Sequence, residues 1–220
     1  TEYAASPMVE WVLIFFMFLA GASFPLQLKV LAGNWRKGWK DDEVRMYTGA
    51  ILFCTGLLTY MLLDEQGGEF SNQLRVSLFQ VVSMITSTGF ASVDFNTWSD
   101  QLKTVLVIAM LVSGCAGSAG GGPKAIRILL SFRHIWRELK QALYPKAAFA
   151  LRYKDSVIPD VLLRSIFNLV MLYLIGYLLV GVALIFSGLD MVTAFSASLA
   201  CLGNIGPGFN ELGPMGSFAG

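Results

Sequence analysis

The chain has 220 residues, 55% of them hydrophobic and 14% charged, and its formal net charge is +1. A mean hydropathy of +0.61 lies far above that of soluble domains, and the apolar residues are gathered into long blocks. This composition excludes an ordinary soluble domain and predicts a membrane protein.

In the first half of the chain, two long apolar blocks are followed by a short one. Residues 8–31, with a kink expected at Pro25, and residues 44–63 are long enough to span a bilayer. Residues 74–85 are also apolar, but a dozen residues cannot cross, so they predict a re-entrant or buried helix.

The second half continues through a glycine-rich break to another long and another short block. Residues 102–112 are apolar and lead into SGCAGSAGGGPK at 113–124. Residues 125–142 mix basic, apolar and aromatic residues, as interfacial amphipathic helices do. Residues 157–186 then predict a further span, and residues 190–201 predict a second short helix.

The distribution of positive charge predicts the orientation in the membrane. Five lysines and arginines fall within residues 29–45 and nine within residues 124–164, whereas we assign Arg75 and Lys103 to the opposite loops. Because basic loops remain in the cytoplasm, this bias places both short helices at the outer face. The predicted outer loops are acidic instead, with Asp64, Glu65, Glu69, Asp94, Asp100, Asp190 and Glu211.

The two short segments belong to an internal repeat. Each unit consists of a long span, a polar outer loop, a short helix and a glycine-containing turn, which reads TSTGF in the first unit and GNIGP in the second. Gly89 and Gly206 occupy matching places, 117 positions apart. Weak repetition around turns at membrane depth is typical of transporters and channels.

The turns at 86–89 and 203–206 predict a cation passage. Non-helical backbone at membrane depth is tolerated only inside protein or beside a wet cavity, and rings of carbonyls can replace the water around a monovalent cation. Glycine lets successive carbonyls point the same way, and the negative C-terminal end of the preceding helix favours a cation. An ordinary tight turn is the alternative for either turn alone, but the repetition favours a pore. Outer carboxylates would concentrate cations at its mouth, namely Asp64, Glu65, Glu69, Asp94 and Asp190.

The segment 113–124 predicts a gate. It lacks the Gly-Lys-Ser/Thr ending of a phosphate-binding loop. A contact between small residues of packed helices, through Gly117 and Gly121, is the alternative. However, five glycines in nine residues would unwind a helix, at about 1 kcal/mol each. We therefore expect a flexible gating loop below the turns, with Lys124 and Arg127 at its cytoplasmic exit. Its predicted residues are Gly114, Gly117, Ser118, Gly120, Gly121 and Gly122.

Three stretches, FQVVSMITSTGF, SGCAGSAGGGPKAIRILL and LGNIGPGF, resemble the Trk/Ktr/HKT superfamily of cation transporters. The similarity is greatest to the membrane subunit of bacterial Trk-type potassium uptake systems. The resemblance implies an all-α membrane protein of helix–pore-helix–helix repeats with re-entrant pore loops, as in potassium channels. It also implies a multi-pass protein of the bacterial inner membrane.

The resemblance divides the chain into three parts. Residues 1–43 would hold the last helix of repeat two and a cytoplasmic loop, residues 44–156 repeat three, and residues 157–220 repeat four. Because the chain lacks an initiator methionine, we expect a truncated protein without repeat one, most of repeat two and the last helix. Half a filter cannot surround an ion on four sides, so we expect no conduction by this chain alone.

The resemblance also implies the ligands and partners. Potassium, the transported substrate, would bind at the filter carbonyls of Ser87, Thr88, Gly89, Asn204, Ile205 and Gly206. We expect a homodimer in the lipid bilayer with a cytosolic ring of regulatory subunits, docked on loops 32–45 and 124–156. Any nucleotide would bind only to that ring, and we expect no covalently bound cofactor and no nucleic-acid partner.

Three other functions compete with potassium transport. A membrane scaffold or regulatory subunit without a pathway would use the short helices only for packing. A sodium-transporting member of the same superfamily would share the repeat. A polytopic membrane enzyme is disfavoured, because no group of acids, bases or metal ligands converges in the sequence.

Overall fold

The structure is a computed structural model that describes residues 6–33, 41–145, 149–153 and 156–214. These residues form an all-helical bundle with one short antiparallel hairpin. The helices are α1 (Pro7–Gly21), α2 (Phe24–Leu31), α3 (Asp42–Gln66), α4 (Phe70–Ile85), α5 (Asp100–Val112), α6 (Ala125–Leu143), α7 (Asp160–Phe186) and α8 (Met191–Leu202). The hairpin pairs β1 (Arg152–Tyr153) with β2 (Ser156–Val157).

Two helices, α3 and α7, are long and apolar enough to cross a membrane. They confirm the spans predicted at 44–63 and 157–186, although α7 begins three residues later than predicted. Helix α3 begins at a capping residue, Asp41, whose carboxylate accepts the N–H of Glu43 at 3.1 Å. Only 11% of the apolar window of α7 is buried inside the protein, so most of its apolar side chains face outward, as in a helix exposed to lipid.

The short helices are α4 and α8. With 16 and 12 residues they are about 24 and 18 Å long, less than the roughly 30 Å of a hydrocarbon core. Helix α4 begins at Phe70, four residues before the predicted segment, and packs against α1, α3 and α5. Helix α8 packs against α7. The prediction of two short helices, each preceded by a long one, is confirmed.

The predicted span at 8–31 is interrupted, and the kink predicted at Pro25 is a complete break three residues before the proline. Helix α1 ends at Gly21, Ala22 is extended (φ −83°, ψ 155°), and α2 begins at Phe24. Pro25 lies in the first turn of α2, where a missing N–H costs nothing. The break is stabilised from a distance, because the N–H of Cys115 donates to Gly21 (2.9 Å) and that of Ala119 to Ala20 (3.1 Å).

Two outer basic residues were also wrongly assigned to loops. Arg75 lies on α4, and its Nε is 2.7 Å from Glu10 Oε2 of α1, without the alignment of a hydrogen bond. Lys103 lies on α5, largely buried, with its Nζ 4.0 Å from an Asp100 carboxylate oxygen. An arginine can occupy a buried helix face when a carboxylate neutralises it, so the Glu10–Arg75 pair joins α1 to α4.

The remaining predicted segments are confirmed as helices. Residues 102–112 lie in α5, and residues 125–142 form α6, which packs against α7. The basic stretch 34–40, together with 146–148 and 154–155, lies outside the described residues. The boundaries of the three predicted repeats remain predictions.

We predict that Glu10→Gln lowers the thermal stability of the purified protein. The substitution leaves the largely buried Arg75 without its countercharge, at a cost on the order of 3 kcal/mol in the free energy of unfolding. The matched control is Glu211→Gln, which changes an exposed carboxylate. Equal melting temperatures for the two variants would contradict the stabilising role of this pair.

Candidate functional site

Helices α4 and α8 end in turns with the same backbone hydrogen bonds. In each turn three successive N–H groups donate back to the end of the helix, in the pattern of a Schellman motif. The pairs are Thr86 to Val82 (2.9 Å), Ser87 to Met84 (3.2 Å), Thr88 to Ser83 (3.0 Å), Gly203 to Leu199 (2.8 Å), Asn204 to Cys201 (3.1 Å) and Ile205 to Ala200 (2.8 Å). Every member of the second set lies 117 residues after its counterpart, so the backbone itself carries the repeat.

Both turns contain two residues with left-handed backbone at matching positions. Ser87 and Asn204 have φ values of 57° and 51°, and Gly89 and Gly206 have values of 73° and 117°. The first position reverses the chain as it leaves the helix. The second requires glycine, because other residues adopt such φ values only with strain.

The turns use their N–H groups within the helix ends and leave their carbonyls without partners. Among the described residues, none donates a hydrogen bond to a carbonyl oxygen of residues 86–89 or 203–206. The hydroxyl of Ser83 holds the chain beyond the first turn by donating to the Phe90 carbonyl at 2.6 Å. Thr86, Gly203 and Ile205 are buried, and a buried carbonyl without a partner is costly, so these oxygens suit water or a cation.

The two turns lie against each other. A Cβ built on Gly89 would overlap the carbonyl oxygen of Ile205 and would lie 3.1 Å from Cδ of Pro207. At Gly206 the nearest atom to such a Cβ is Cα of Gly89, 4.0 Å away. The structure therefore places the predicted residue Gly89 against Ile205 and Gly206. The other predicted residues, Ser87, Thr88 and Asn204, lie in the same two turns. Space demands glycine at position 89, whereas only backbone conformation demands it at position 206.

A polar and aromatic contact joins the segments that follow the turns. The Asn96 amide donates to the carbonyl of Asn210 and accepts its N–H, both at 2.8 Å. Beside it, the rings of Phe95 and Phe209 meet edge to face with centroids 5.5 Å apart. These contacts fix the two turns relative to each other on the predicted outer side.

The glycine-rich loop lies against the start of both turns. A Cβ built on Gly120 would lie 2.7 Å from the carbonyl oxygen of Thr86. One built on Gly121 would overlap the carbonyl oxygen of Gly203, whose carbonyl carbon is 2.9 Å away. Thr86 and Gly203 are equivalent positions of the repeat. Two consecutive glycines therefore contact the equivalent carbonyls of the two turns, and both positions need the absence of a side chain.

Three elements hold this loop. Lys124 Nζ donates to the carbonyl of Gly120 and lies 3.4 Å from the carbonyl and 3.3 Å from the hydroxyl of Ser118. The buried carboxylate of Glu43, at the start of α3, accepts the N–H of Ala116 at 2.5 Å. The break between α1 and α2 supplies the third contact, where Phe24 donates its N–H to the Gly117 carbonyl at 3.1 Å.

The predicted gate residues divide into two groups. Gly120 and Gly121 face the turns, and Ser118 faces Lys124. Built Cβ atoms on Gly114, Gly117 and Gly122 would instead meet Gly21, Pro25 and Ser113, respectively. In this second group Gly114 and Gly117 lie against the helix break, whereas Gly122 packs against Ser113 within the loop, with its built Cβ 4.0 Å from Cα of Gly203 in the second turn.

Two of the predicted mouth carboxylates cap helical turns. Asp190 accepts the N–H of Thr193 at 3.1 Å and also its hydroxyl, and Asp94 accepts the N–H of Asn96 at 3.0 Å. The hydrogen bonds from Thr193 lower the pKa of Asp190, so this exposed carboxylate stays charged at a lower pH than an ordinary aspartate does. Asp64, Glu65 and Glu69 are also exposed.

Glu43 was not identified from the sequence, and Lys124 was predicted at the cytoplasmic exit without its contacts to the loop. The signal for Glu43 was the acidic run Asp41, Asp42 and Glu43 directly after a basic stretch, which a cytoplasmic loop alone does not explain. No group of three or more histidine, cysteine, aspartate or glutamate side chains within the described ranges could hold a metal ion. The polar groups that the two turns present are backbone carbonyls.

Comparison with known proteins identifies similar chains. The model of the family TrkH, described as cation transport protein, matches residues 51–215. The Trk system potassium uptake protein TrkH of Salmonella typhimurium is 32% identical over 211 residues, 94% of this chain and 43% of that protein. TrkH of Halomonas elongata is 30% identical over 217 residues, 95% of this chain and 44% of that protein.

A solved structure is also similar. The crystal structure of the potassium transporter TrkH from Vibrio parahaemolyticus superposes with a TM-score of 0.86 at 30% identity, over 94% of this chain and 45% of that chain. The chain therefore spans less than half the length of the relatives that it matches.

We predict opposite effects on stability for two glycine-to-alanine changes. Gly121→Ala forces a methyl group into the Gly203 carbonyl, so it should lower the melting temperature, at a cost of about 1–3 kcal/mol. Gly49→Ala adds a methyl group to α3 where nothing lies within 4 Å, and should raise stability by about 0.5–1 kcal/mol. A neutral or stabilising Gly121→Ala would contradict the close contact between loop and turn.

Proposed function

Because this chain belongs to the TrkH family of cation transport proteins, we propose that it forms part of a potassium pathway through a bacterial inner membrane. The observation that carries the proposal is the pair of matching turns with unbonded carbonyls at the ends of α4 and α8. Potassium is the proposed substrate because the relatives are named as potassium uptake proteins. The ion would enter from the side of the exposed carboxylates.

The carbonyls of the turns can replace the hydration shell of potassium. Residues 87–89 and 204–206 would supply the oxygens, and the hydrogen bonds of the Schellman motifs hold these residues in place. Helices α4 and α8 direct their C-terminal ends at the turns, so their dipoles add negative potential where the cation would bind. Together the turns offer two sides of a filter, and in the proposed complete pathway four repeats surround the ion.

The loop at 113–122 would act as the gate of this pathway. Its Gly120 and Gly121 lie against the equivalent carbonyls of both turns, directly in line with an ion that leaves the filter. Two contacts hold the loop in this position: Lys124 donates to the carbonyl of Gly120, and Glu43 of α3 accepts the N–H of Ala116. The ammonium group of Lys124 binds loop carbonyls that would otherwise attract the cation, and its positive charge repels the cation. Breaking the contact between Lys124 and the loop would therefore favour the open pathway.

We further propose that the protein acts as a homodimer with a cytosolic ring of nucleotide-binding regulatory subunits. The relatives are named as parts of a Trk system, which supports a multi-component assembly. The ring would dock on the basic loops 32–45 and 124–156. Glu43 connects the first of these loops to the gate, because it lies at the start of α3 and bonds to Ala116.

We predict that serine in place of either filter glycine weakens selectivity for potassium over sodium, and more severely at position 89. Gly89→Ser meets the Ile205 carbonyl as well as backbone strain, whereas Gly206→Ser meets only the strain. Strain of about 1–3 kcal/mol corresponds to roughly a five- to hundredfold change in relative affinity. Potassium and sodium fluxes in proteoliposomes of the complete four-repeat protein measure this ratio, and unchanged selectivity in both variants would contradict a filter at these turns.

We predict that Lys124→Met in the complete four-repeat protein increases potassium flux under non-activating conditions. The change removes hydrogen bonds from a charged donor, typically worth about 1.5–3 kcal/mol each, from the closed loop, so we expect roughly a tenfold increase or more. The matched control is Arg127→Met, because no hydrogen bond between Arg127 and the loop is seen among the described residues.

The comparison of these two variants also tests the alternative of a scaffold without a pathway. A scaffold predicts that Lys124→Met changes assembly, measured by size-exclusion chromatography, and leaves flux as in Arg127→Met. The gate predicts higher flux with assembly intact. Lys124→Arg retains a charged donor and should keep flux low.

A further inference from the structure

Two cavities meet at Phe132 on the outward face of α6. One, of about 620 Å³, lies between α6 and the segment 149–152 that leads into the hairpin. The other, of about 240 Å³, lies between α6 and α7. Phe132 lines both cavities and its side chain is 67% exposed, so the basic and the apolar cavity are neighbours on the two sides of this one ring; the pair is called the depression below.

The larger cavity is basic and aromatic. Its cations come from two separate segments and are Arg133, Arg137, Lys140 and Arg152. It also contains Trp136, which is 63% exposed. Arg133 is paired with Asp42 at 2.8 Å and Arg137 with Asp160 at 2.6 Å. Lys140 and Arg152 have no carboxylate within 4.0 Å among the described residues. Two positive charges therefore remain available to an anion.

The smaller cavity is an apolar groove along the membrane-crossing helix α7. Phe167, Val170, Met171 and Leu174 form its α7 side. Ser131 also lines it, and its hydroxyl is buried without a hydrogen-bond partner in the described structure. Ser131 therefore adds one polar group to the wall of the otherwise apolar groove.

We propose that this depression binds one anionic phospholipid of the cytoplasmic leaflet. Its phosphate contacts Lys140 and Arg152, an acyl chain lies in the groove along α7, and the hydroxyl of Ser131 donates to an ester carbonyl between them. The proposal rests on the membrane orientation proposed above and not on conduction.

Three features select a lipid over a soluble anion. The basic end adjoins an apolar groove across Phe132, and a free phosphate would leave that groove empty. The groove runs along α7 away from Asp160, so a chain bound there extends toward the membrane centre. Trp136 lies beside the basic end with Lys140 Nζ 5.7 Å from its ring, and tryptophan and basic residues favour the headgroup region.

The test measures lipid retention by native mass spectrometry of the purified full protein. Phosphatidylglycerol and phosphatidylcholine with identical acyl chains are the probes. We expect phosphatidylglycerol to bind more tightly to the unmodified protein, and the double substitution Lys140→Gln/Arg152→Gln to weaken it about tenfold or more. The matched control is Arg45→Gln/Arg127→Gln, which removes two charges from the same predicted side outside both cavities.

Several results would overturn the proposal. They are equal retention of the two lipids, an unchanged affinity in the Lys140/Arg152 variant, and displacement of the lipid by millimolar glycerol phosphate, which would mark a site for a free anion. Loss of regulatory-subunit binding in that variant with lipid retention intact would assign the cavity to a protein interface. Loss of potassium selectivity in the filter variants is a separate readout, so the two proposals can fail independently.

A second measurement does not depend on the folding of the double variant. Phosphatidylglycerol brominated on its acyl chains should quench tryptophan fluorescence of the unmodified protein more than brominated phosphatidylcholine does. The difference should disappear in Trp136→Phe. Equal quenching by the two brominated lipids would overturn the proposal.

Discussion

The structure depends on one constraint, which is that lipid cannot form hydrogen bonds with peptide groups. The ends of α4 and α8, the break between α1 and α2, and the loop 113–122 all present non-helical backbone within an otherwise helical bundle. The N–H groups of the turns bond back to their own helices. The N–H groups of the loop donate to the last carbonyls of α1 and to the carboxylate of Glu43. Unbonded carbonyls of both turns therefore remain at one place, where the two turns meet.

The helix break and the glycine-rich loop are two halves of one arrangement. Ala20 and Gly21 end α1 with carbonyls that an uninterrupted helix would have satisfied, and the N–H groups of Cys115 and Ala119 satisfy them instead. The same contact positions the loop so that Gly120 lies against the carbonyl of Thr86 and Gly121 against that of Gly203. A movement of the loop must therefore exchange hydrogen bonds with α1, α3 and Lys124, which gives the proposed gate two distinct states.

The sequence was sufficient where a local pattern determines the structure and insufficient where a distant segment does. Hydropathy and length predicted α3, α7 and the two short helices, and the spacing between Gly89 and Gly206 predicted the repeat that the hydrogen bonds share. Pro25 predicted an interruption of the first span, but the partners that stabilise the break were not predictable, because Cys115 and Ala119 lie some ninety residues away in the loop. Arg75 was misplaced because its burial depends on Glu10. Glu43 was missed because an acidic residue beside a basic stretch has many explanations until Ala116 is seen against it.

The central claim is that the carbonyls of residues 87–89 and 204–206 bind a monovalent cation, and anomalous scattering from the full protein soaked in rubidium or thallium tests it most directly. The account predicts an anomalous peak beside both turns, coordinated by their carbonyl oxygens and lost in sodium alone. A structure with no peak there, and with those carbonyls bonded to other protein groups, would contradict it.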